Sequence, residues 1–368
     1  MRVHVHGWFG FRNLGDDLLL KNAVHVLQSI PDVAGIEVGA EDSDYLSAYL
    51  GDNYEITFSD RGMLTLFSSA VRNDVLVIGP GGLFPHRNPA KVFAFLLLTL
   101  WWKALGKKVA YFGLGATAIQ DDFSAACWRL IAKVSDAFLT RDGDFFDACG
   151  VQPTETARPC ADLVFLRGGE PRNLRAQDGR VAIAFANLFS EDEPGYGEFL
   201  EACCSLTEAL TAKAGSVDLL SFTAGQDECL NGNIAQRLSR PTGVKSLSYE
   251  ETLERASRFG EYKLILGMRF HSCVLAARKG VPLVAVSYAH KTERLMSALG
   301  LSGSYVKYCK DTKGYYEEAI PMDVRRIVEM CDVALSNPSI ALPNPEVVRE
   351  LTARAEGMAG TLREVLAG

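Results

Sequence analysis

The chain has 368 residues, more than one hydrophobic core usually serves, so two domains are expected. Hydrophobic residues at 48% and charged residues at 23% are ordinary for a soluble globular protein. A net charge of −7, from 38 basic and 45 acidic side chains, argues against a general nucleic-acid binder, although a few local arginines suffice for a small anion.

The N-terminus, MRVHVHGWFG, lacks the apolar core of a signal peptide and reads as a first strand, Val3–His6. The nine cysteines are scattered, with no C-x-x-C pair. Free thiols in a reducing compartment fit them better than a disulfide framework or a zinc site, so the cytoplasm is expected.

Further strands are predicted at 74–78, 108–112 and 137–140, with helical spacing at 17–30 and 123–134 between them. Alternation of this kind implies parallel strands joined by crossover helices. Val75–Ile78 and Val109–Phe112 are apolar throughout, as in strands covered on both faces. The apolar run Val92–Trp102, bracketed by Lys91, Lys103, Lys107 and Lys108, is too short for the roughly 20 residues of a membrane-spanning helix. It reads as a helix buried on a sheet, or as one whose Trp-rich end and lysines (the segment 92–108) touch a membrane surface.

Around 167–179 the composition turns rich in Gly, Arg and Pro, as in a linker. A second series follows, with strands at 181–185, 217–222, 243–247, 263–266 and 282–286 and helices at 198–213 and 250–257. The expected architecture is α/β: two Rossmann-like domains, 1–168 and 180–340, facing a central cleft. A last helical stretch within 343–368 is expected to cross back onto the first domain.

In open parallel sheets, ligands gather where strands end and helices begin. Four such junctions stand out. After the first strand, residues 7–17 (GWFGFRNLGDD) carry three glycines but not the dinucleotide spacing G-x-G-x-x-G. Two acids at the helix start would repel a phosphate, so a sugar hydroxyl is the better guest, with Asn13, Gly15 and Asp16 on the acceptor side. The alternative is an ordinary turn capped by Asp16 or Asp17. At Gly79–Phe84 (GPGGLF), Gly81 and Gly82 read as a backbone nest for an anion or as a tight turn, with His86 and Arg87 just beyond. Arg141, at the end of a buried strand, can fork onto a phosphate or carboxylate, or pair with Asp142 or Asp162.

The most informative stretch is 264–291, LILGMRFHSCVLAARKGVPLVAVSYAHK. There Arg269 would hold an anionic donor, His271 would transfer a proton near neutral pH, and Lys291 would reach the same donor; the alternatives are a structural histidine and a solvated lysine at a helix start.

The ordered set GFRNLGDD, GPGGLF, T-R-D followed by G-V, GMRFHS, A-x-x-x-G-V-P and S-Y-x-x-K resembles the polysaccharide pyruvyltransferases over roughly Val3 to Leu301. Departures are Pro80 inside the glycine cluster, a missing later glycine in 113–117 (GLGAT), and Ala289 before Lys291, where an aspartate is common. The resemblance implies a fold similar to the two-Rossmann (GT-B-like) glycosyltransferases, phosphoenolpyruvate as donor, and a saccharide, often lipid-linked, as acceptor. It places Arg269 and His271 on donor-binding and catalytic positions and Arg141 on a donor contact. No metal constellation accompanies these motifs, so activity without metal or other cofactor is expected. Peripheral membrane contact and a homo-oligomer are compatible with the pattern. The rival readings are a nucleotide-sugar glycosyltransferase and a non-catalytic saccharide-binding subunit of a polymer-assembly complex.

Overall fold

Alternating strand-forming and helix-forming runs become two separate parallel sheets, each covered by its crossover helices. The computed structural model describes residues 1–51, 55–82, 88–115, 119, 121–167, 179–239, 242–310 and 318–368. His86, Arg87, Ala116, Thr117 and most of the linker lie outside the described residues.

The chain divides into two units, Met1–Arg167 with Leu351–Gly368, and Gly168–Glu350. The first contains β1 (Arg2–His6), α1 (Leu14–Gln28), β2 (Gly35–Gly39), α2 (Ser43–Leu50), β3 (Ile56–Ser59), α3 (Met63–Ser69), β4 (Val75–Ile78), α4 (Pro89–Ala104), β5 (Lys108–Leu114), α5 (Asp122–Val134), β6 (Ala137–Thr140), α6 (Asp144–Cys149) and β7 (Ala157–Pro159). The second contains β8 (Val181–Ala184), α7 (Tyr196–Ala214), β9 (Val217–Leu219), α8 (Gln226–Arg237), β10 (Val244–Ser246), α9 (Tyr249–Ala256), β11 (Leu264–Gly267), α10 (Phe270–Lys279), β12 (Leu283–Ser287), α11 (His290–Ala298), β13 (Tyr305–Lys307) and α12 (Val324–Ser336). A last helix, α13 (Pro345–Ala367), begins in the second unit and ends in the first. There its carbonyls at Val365 and Leu366 accept from Lys108 Nζ at 3.0 and 3.2 Å, and Thr361 Oγ1 accepts from Arg158 at 2.9 Å.

Strand order is β3-β2-β1-β4-β5-β6-β7 in the first sheet and β10-β9-β8-β11-β12-β13 in the second. The chain winds outward one way from β1 and then the other way from β4, and it repeats this at β8 and β11. Each sheet therefore has a topological switch point, where neighbouring loops part and leave a place for a ligand. In the first unit this point lies between the loops after β1 and β4, in the second between those after β8 and β11.

The central strands are buried on both faces, which is why their sequences lack alternation. In the first unit Tyr111, Trp128, Phe138 and Phe145 form a ring cluster with centroids 4.5 to 6.2 Å apart. Such contacts stabilise by roughly 0.5–1.5 kcal/mol per pair beyond area burial. None of the nine cysteines is joined in a disulfide.

The apolar run predicted at 92–102 is the body of α4. Val92, Phe95, Leu96, Leu98 and Trp102 face the core, while Phe93, Leu97, Leu100 and Trp101 remain exposed along the outer side. Its lysines are turned to local partners: Lys103 to Asp136 at 2.7 Å, Lys107 to Asp74 at 3.1 Å, and Lys108 to the end of α13. Among the described residues, no helix is long and apolar enough to cross a membrane.

Candidate functional site

In the second unit, the segment Gly267–His271 leaves β11 at the switch point and enters α10. Parallel pairing sets Gly267 beside Ala184 of β8, and Met268 N and Arg269 N donate to Ala184 O at 2.9 and 3.2 Å. A side chain at Gly267 would place its Cβ 2.7 Å from Cys273 Sγ and from Ser272 Oγ. Glycine there lets α10 start immediately behind the strand.

Arg269 is the residue before the first turn of α10. Its guanidinium forks onto Asp227, with Nε to Oδ2 at 3.0 Å and Nη2 to Oδ1 at 2.5 Å. Asp227 is fully buried at the start of α8 and also accepts from the backbone N–H groups of Phe222 and Thr223 at 3.0 Å and of Asn187 at 3.3 Å. One carboxylate thus ties together the ends of β8, β9 and β11. Burial by itself would lower the Arg269 pKa, but Asp227 and then Tyr288 more than offset it. The guanidinium stays charged. Burial also pushes the Tyr288 phenol upward, so it stays neutral while its oxygen accepts from Arg269.

This alters the part expected of Arg269. The planar fork assigned to an anionic donor is occupied by Asp227, because the β8–β11 junction delivers that carboxylate to the arginine. Asp227 and Tyr288 carry no local sign of this role: an acid near a helix start and a tyrosine after a strand are both commonplace.

His271 lies in the first turn of α10, half-buried, with its ring edge-to-face against Phe270 at a centroid distance of 5.2 Å. Lys291, in the first turn of α11, holds its ammonium 5.3 Å from the centre of the same Phe270 ring. Phe270 therefore joins the two residues that the sequence singled out separately. The first backbone N–H groups of α10 and α11 have no partner within their own helices, and such helix starts attract negative charge. Arginine, histidine, lysine and two helix N-termini collect at one end of the second sheet.

In the first unit, β1 and β4 pair in register, and Gly79 N donates to His6 O at 2.8 Å, so the two glycine loops lie side by side. The cap of α1 is Asn13 rather than Asp16 or Asp17. Its Oδ1 accepts from Gly15 N at 3.1 Å and Asp16 N at 3.3 Å. Asp17 is buried and accepts from Tyr45 Oη at 2.8 Å. Asp16 remains half-buried, with Oδ1 3.4 Å from the position a Cβ would take on Gly81.

Gly81 N donates to Gly113 O at 3.3 Å, and Gly115 N donates to Gly81 O at 3.1 Å. The Gly81 N–H is thus committed to the neighbouring loop and does not complete the expected anion nest; Gly82 is exposed beside it. Arg141 packs its guanidinium onto Gly115, where a Cβ would stand 2.1 Å from Nη2. It also lies 3.5 Å from both Asp142 and Asp162. Those separations are longer than the roughly 2.7–2.9 Å of a charge-assisted hydrogen bond. Asp16, Gly81, Gly115 and Arg141 follow one another along the carboxyl edge of the first sheet. Among the described residues, no three His, Cys, Asp or Glu side chains group as they would around a metal ion.

A family model described as "Polysaccharide pyruvyl transferase" matches residues 13–290. No curated protein matches the chain significantly in sequence. Among solved structures, the chain is similar to a UDP-GlcNAc 2-epimerase from Methanocaldococcus jannaschii, with a TM-score of 0.62 and 11% identity over 100% of both chains. The UDP-GlcNAc 2-epimerase from Neisseria meningitidis gives 0.59 and 12% over 99% of this chain and 100% of that one. A lipopolysaccharide outer core galactosyltransferase gives 0.53 and 9% over 100% and 99%. At such identities the likeness concerns the fold: two Rossmann-like units of the GT-B kind.

Proposed function

Because this chain belongs to the polysaccharide pyruvyl transferase family, we propose that it transfers pyruvate from phosphoenolpyruvate to two hydroxyls of a saccharide as a ketal, releasing phosphate. The reading rests on the collection of Arg269, His271 and Lys291 at the switch point of the second sheet. In the reaction, a proton joins the methylene carbon of the donor while a sugar hydroxyl attacks the adjacent carbon. A second hydroxyl then displaces phosphate at that carbon; of the two hydroxyl protons, one replaces the proton given to the methylene carbon and the other leaves on the phosphate as hydrogen phosphate.

Negative charge grows on the departing phosphate, so prearranged positive groups are worth most there. Lys291 and the N-terminal turns of α10 and α11 supply them. Arg269 contributes its charge while Asp227 holds its orientation. His271 is the proton donor, to the methylene carbon or to the departing phosphate. Arg141 and Gly82 belong to the donor side in this reading, and Asp16 and Gly15 to the acceptor side, with Asn13 shaping the loop. No metal is assigned to any step, and activity should persist in a chelator. The acceptor is a lipid-linked or polymer-bound saccharide, met through the outer face of α4 at a lipid surface. Retention of the protein on floated vesicles, lost in Trp101→Glu, would test that contact.

The decisive test is thermal unfolding titrated with phosphoenolpyruvate beside a panel of nucleoside diphosphates. A ligand that binds only the folded state raises its stability by mass action, about 2.7 kcal/mol at a hundredfold excess over Kd. A saturable rise with phosphoenolpyruvate is expected. A rise with a nucleotide alone would overturn the assignment in favour of a nucleotide-sugar glycosyltransferase, and silence from both would count against any donor site of this kind.

A further inference from the structure

We infer that Trp8, stacked on Phe11 and backed by Arg61, is a saccharide-stacking subsite at the switch point of the first sheet. Trp8 follows β1 by two residues, so it stands at the edge where the loops after β1 and β4 part. Half of its surface is exposed. An exposed aromatic residue alone means little. What distinguishes this one is that the indole is held still while it is open.

Its ring lies nearly parallel to Phe11, with centroids 4.5 Å apart and planes 15° from each other. The Arg61 guanidinium sits 4.6 Å from both ring centres and is fixed by Nε donating to Gly7 O at 3.1 Å. The loop itself is laced to the next one, where Glu41 N donates to Phe9 O at 3.1 Å. A flat apolar surface that is already rigid loses little conformational freedom when a ligand settles on it.

The surroundings select the ligand. Glu41 lies 3.4 Å from Arg61, and Asp60 and Asp16 also act on its charge. Glu41 offsets the Arg61 cation beside the rings, which leaves no bare positive charge for a phosphate, and its carboxylate can accept hydrogen bonds from hydroxyls. A pyranose has the matching character: one face of C–H groups to lie on the indole and a rim of hydroxyls to meet the acids. Asp16 carries the polar side of this surface toward Gly81, the start of the β4 loop. The chemical class is a neutral hexose or N-acetylhexosamine unit. Naming it the acceptor rests on the proposed function above.

The test uses the full chain as wild type, Trp8→Ala and Trp8→Phe on an immobilised array of bacterial glycans. Phosphoenolpyruvate thermal shift is measured in each. Wild type should bind a subset of the glycans, Trp8→Ala should lose at least tenfold in signal, and Trp8→Phe should retain part of it, because a smaller aromatic plane remains. The phosphoenolpyruvate response should be alike in all three, which also shows that the variants are folded. Equal glycan binding by Trp8→Ala, no binding by wild type, or displacement of the glycans by uridine nucleotides would overturn the subsite. Absence of any phosphoenolpyruvate response would instead overturn the donor assignment and leave the glycan result to be read independently.

Discussion

Arg269 and Asp227, 42 residues apart in the chain, form a two-pronged ion pair that holds the entry to α10 against the start of α8. Residues that the sequence left unconnected are coupled by the order of strands in the second sheet.

Breaking that pair should be costly in a particular way. Arg269→Ala strands a buried carboxylate without its cation, a change worth about 3–5 kcal/mol of stability. Asp227→Asn strands the guanidinium instead. Combining Asp227→Asn with Arg269→Ala should cost clearly less than the two single changes added together, as read from urea unfolding. Strict additivity would show that the pair contributes nothing as a unit. Arg269→Lys should keep the charge but lose the fork, shift the α10 entry, and lower turnover on the order of 10²-fold.

His271 makes a different prediction, since it is half-buried with its ring edge-to-face against Phe270. His271→Ala should leave the unfolding free energy within about 1 kcal/mol of wild type. Turnover should fall by about 10²–10⁴-fold, the usual span for a general acid or base. The natural measurement is phosphate release with phosphoenolpyruvate and an acceptor. A folded alanine variant with wild-type turnover would remove the histidine from the mechanism.

Stability should also depend on pH through His6, at the end of β1. Burial lowers its pKa to about 3, and the nearby His4 and Arg61 add to the effect. The folded protein therefore keeps this imidazole neutral at pH values where the unfolded chain protonates it. Stability is fully present above the unfolded value near 6.5 and falls as pH drops toward the folded one. One such group costs about 2 kcal/mol between pH 8 and pH 5. In His6→Gln that part of the pH dependence should vanish from urea midpoints measured at the two pH values. Parallel pH profiles in variant and wild type would show that His6 is not its source.

Much of the fold was legible because β4, β5, β6, β8 and β11 are largely apolar runs flanked by helical spacing. Their burial on both faces leaves that trace directly in the residues. The short outer strands β3, β7 and β13 left too little of it. β2 is obscured by Glu37, a buried carboxylate that accepts from Asn73 at 2.6 Å and Arg72 at 3.1 Å. Asn13 as the cap of α1 was hidden by two more conspicuous acids. Trp8 and Arg61 are separated by two helices and two strands, so no local spacing connects them.

By itself the sequence determined the family, the alternation of strand and helix, and the placing of Arg269 and His271 where a strand gives way to a helix. These follow from residue order and from the period of burial, which are local properties. Only the tertiary structure decided that Asp227 occupies the Arg269 fork, that Phe270 joins His271 to Lys291, and that Gly81 gives its N–H to Gly113. Each is a contact between strand ends, and strand adjacency in a doubly wound sheet is set by long-range crossovers that no local periodicity encodes.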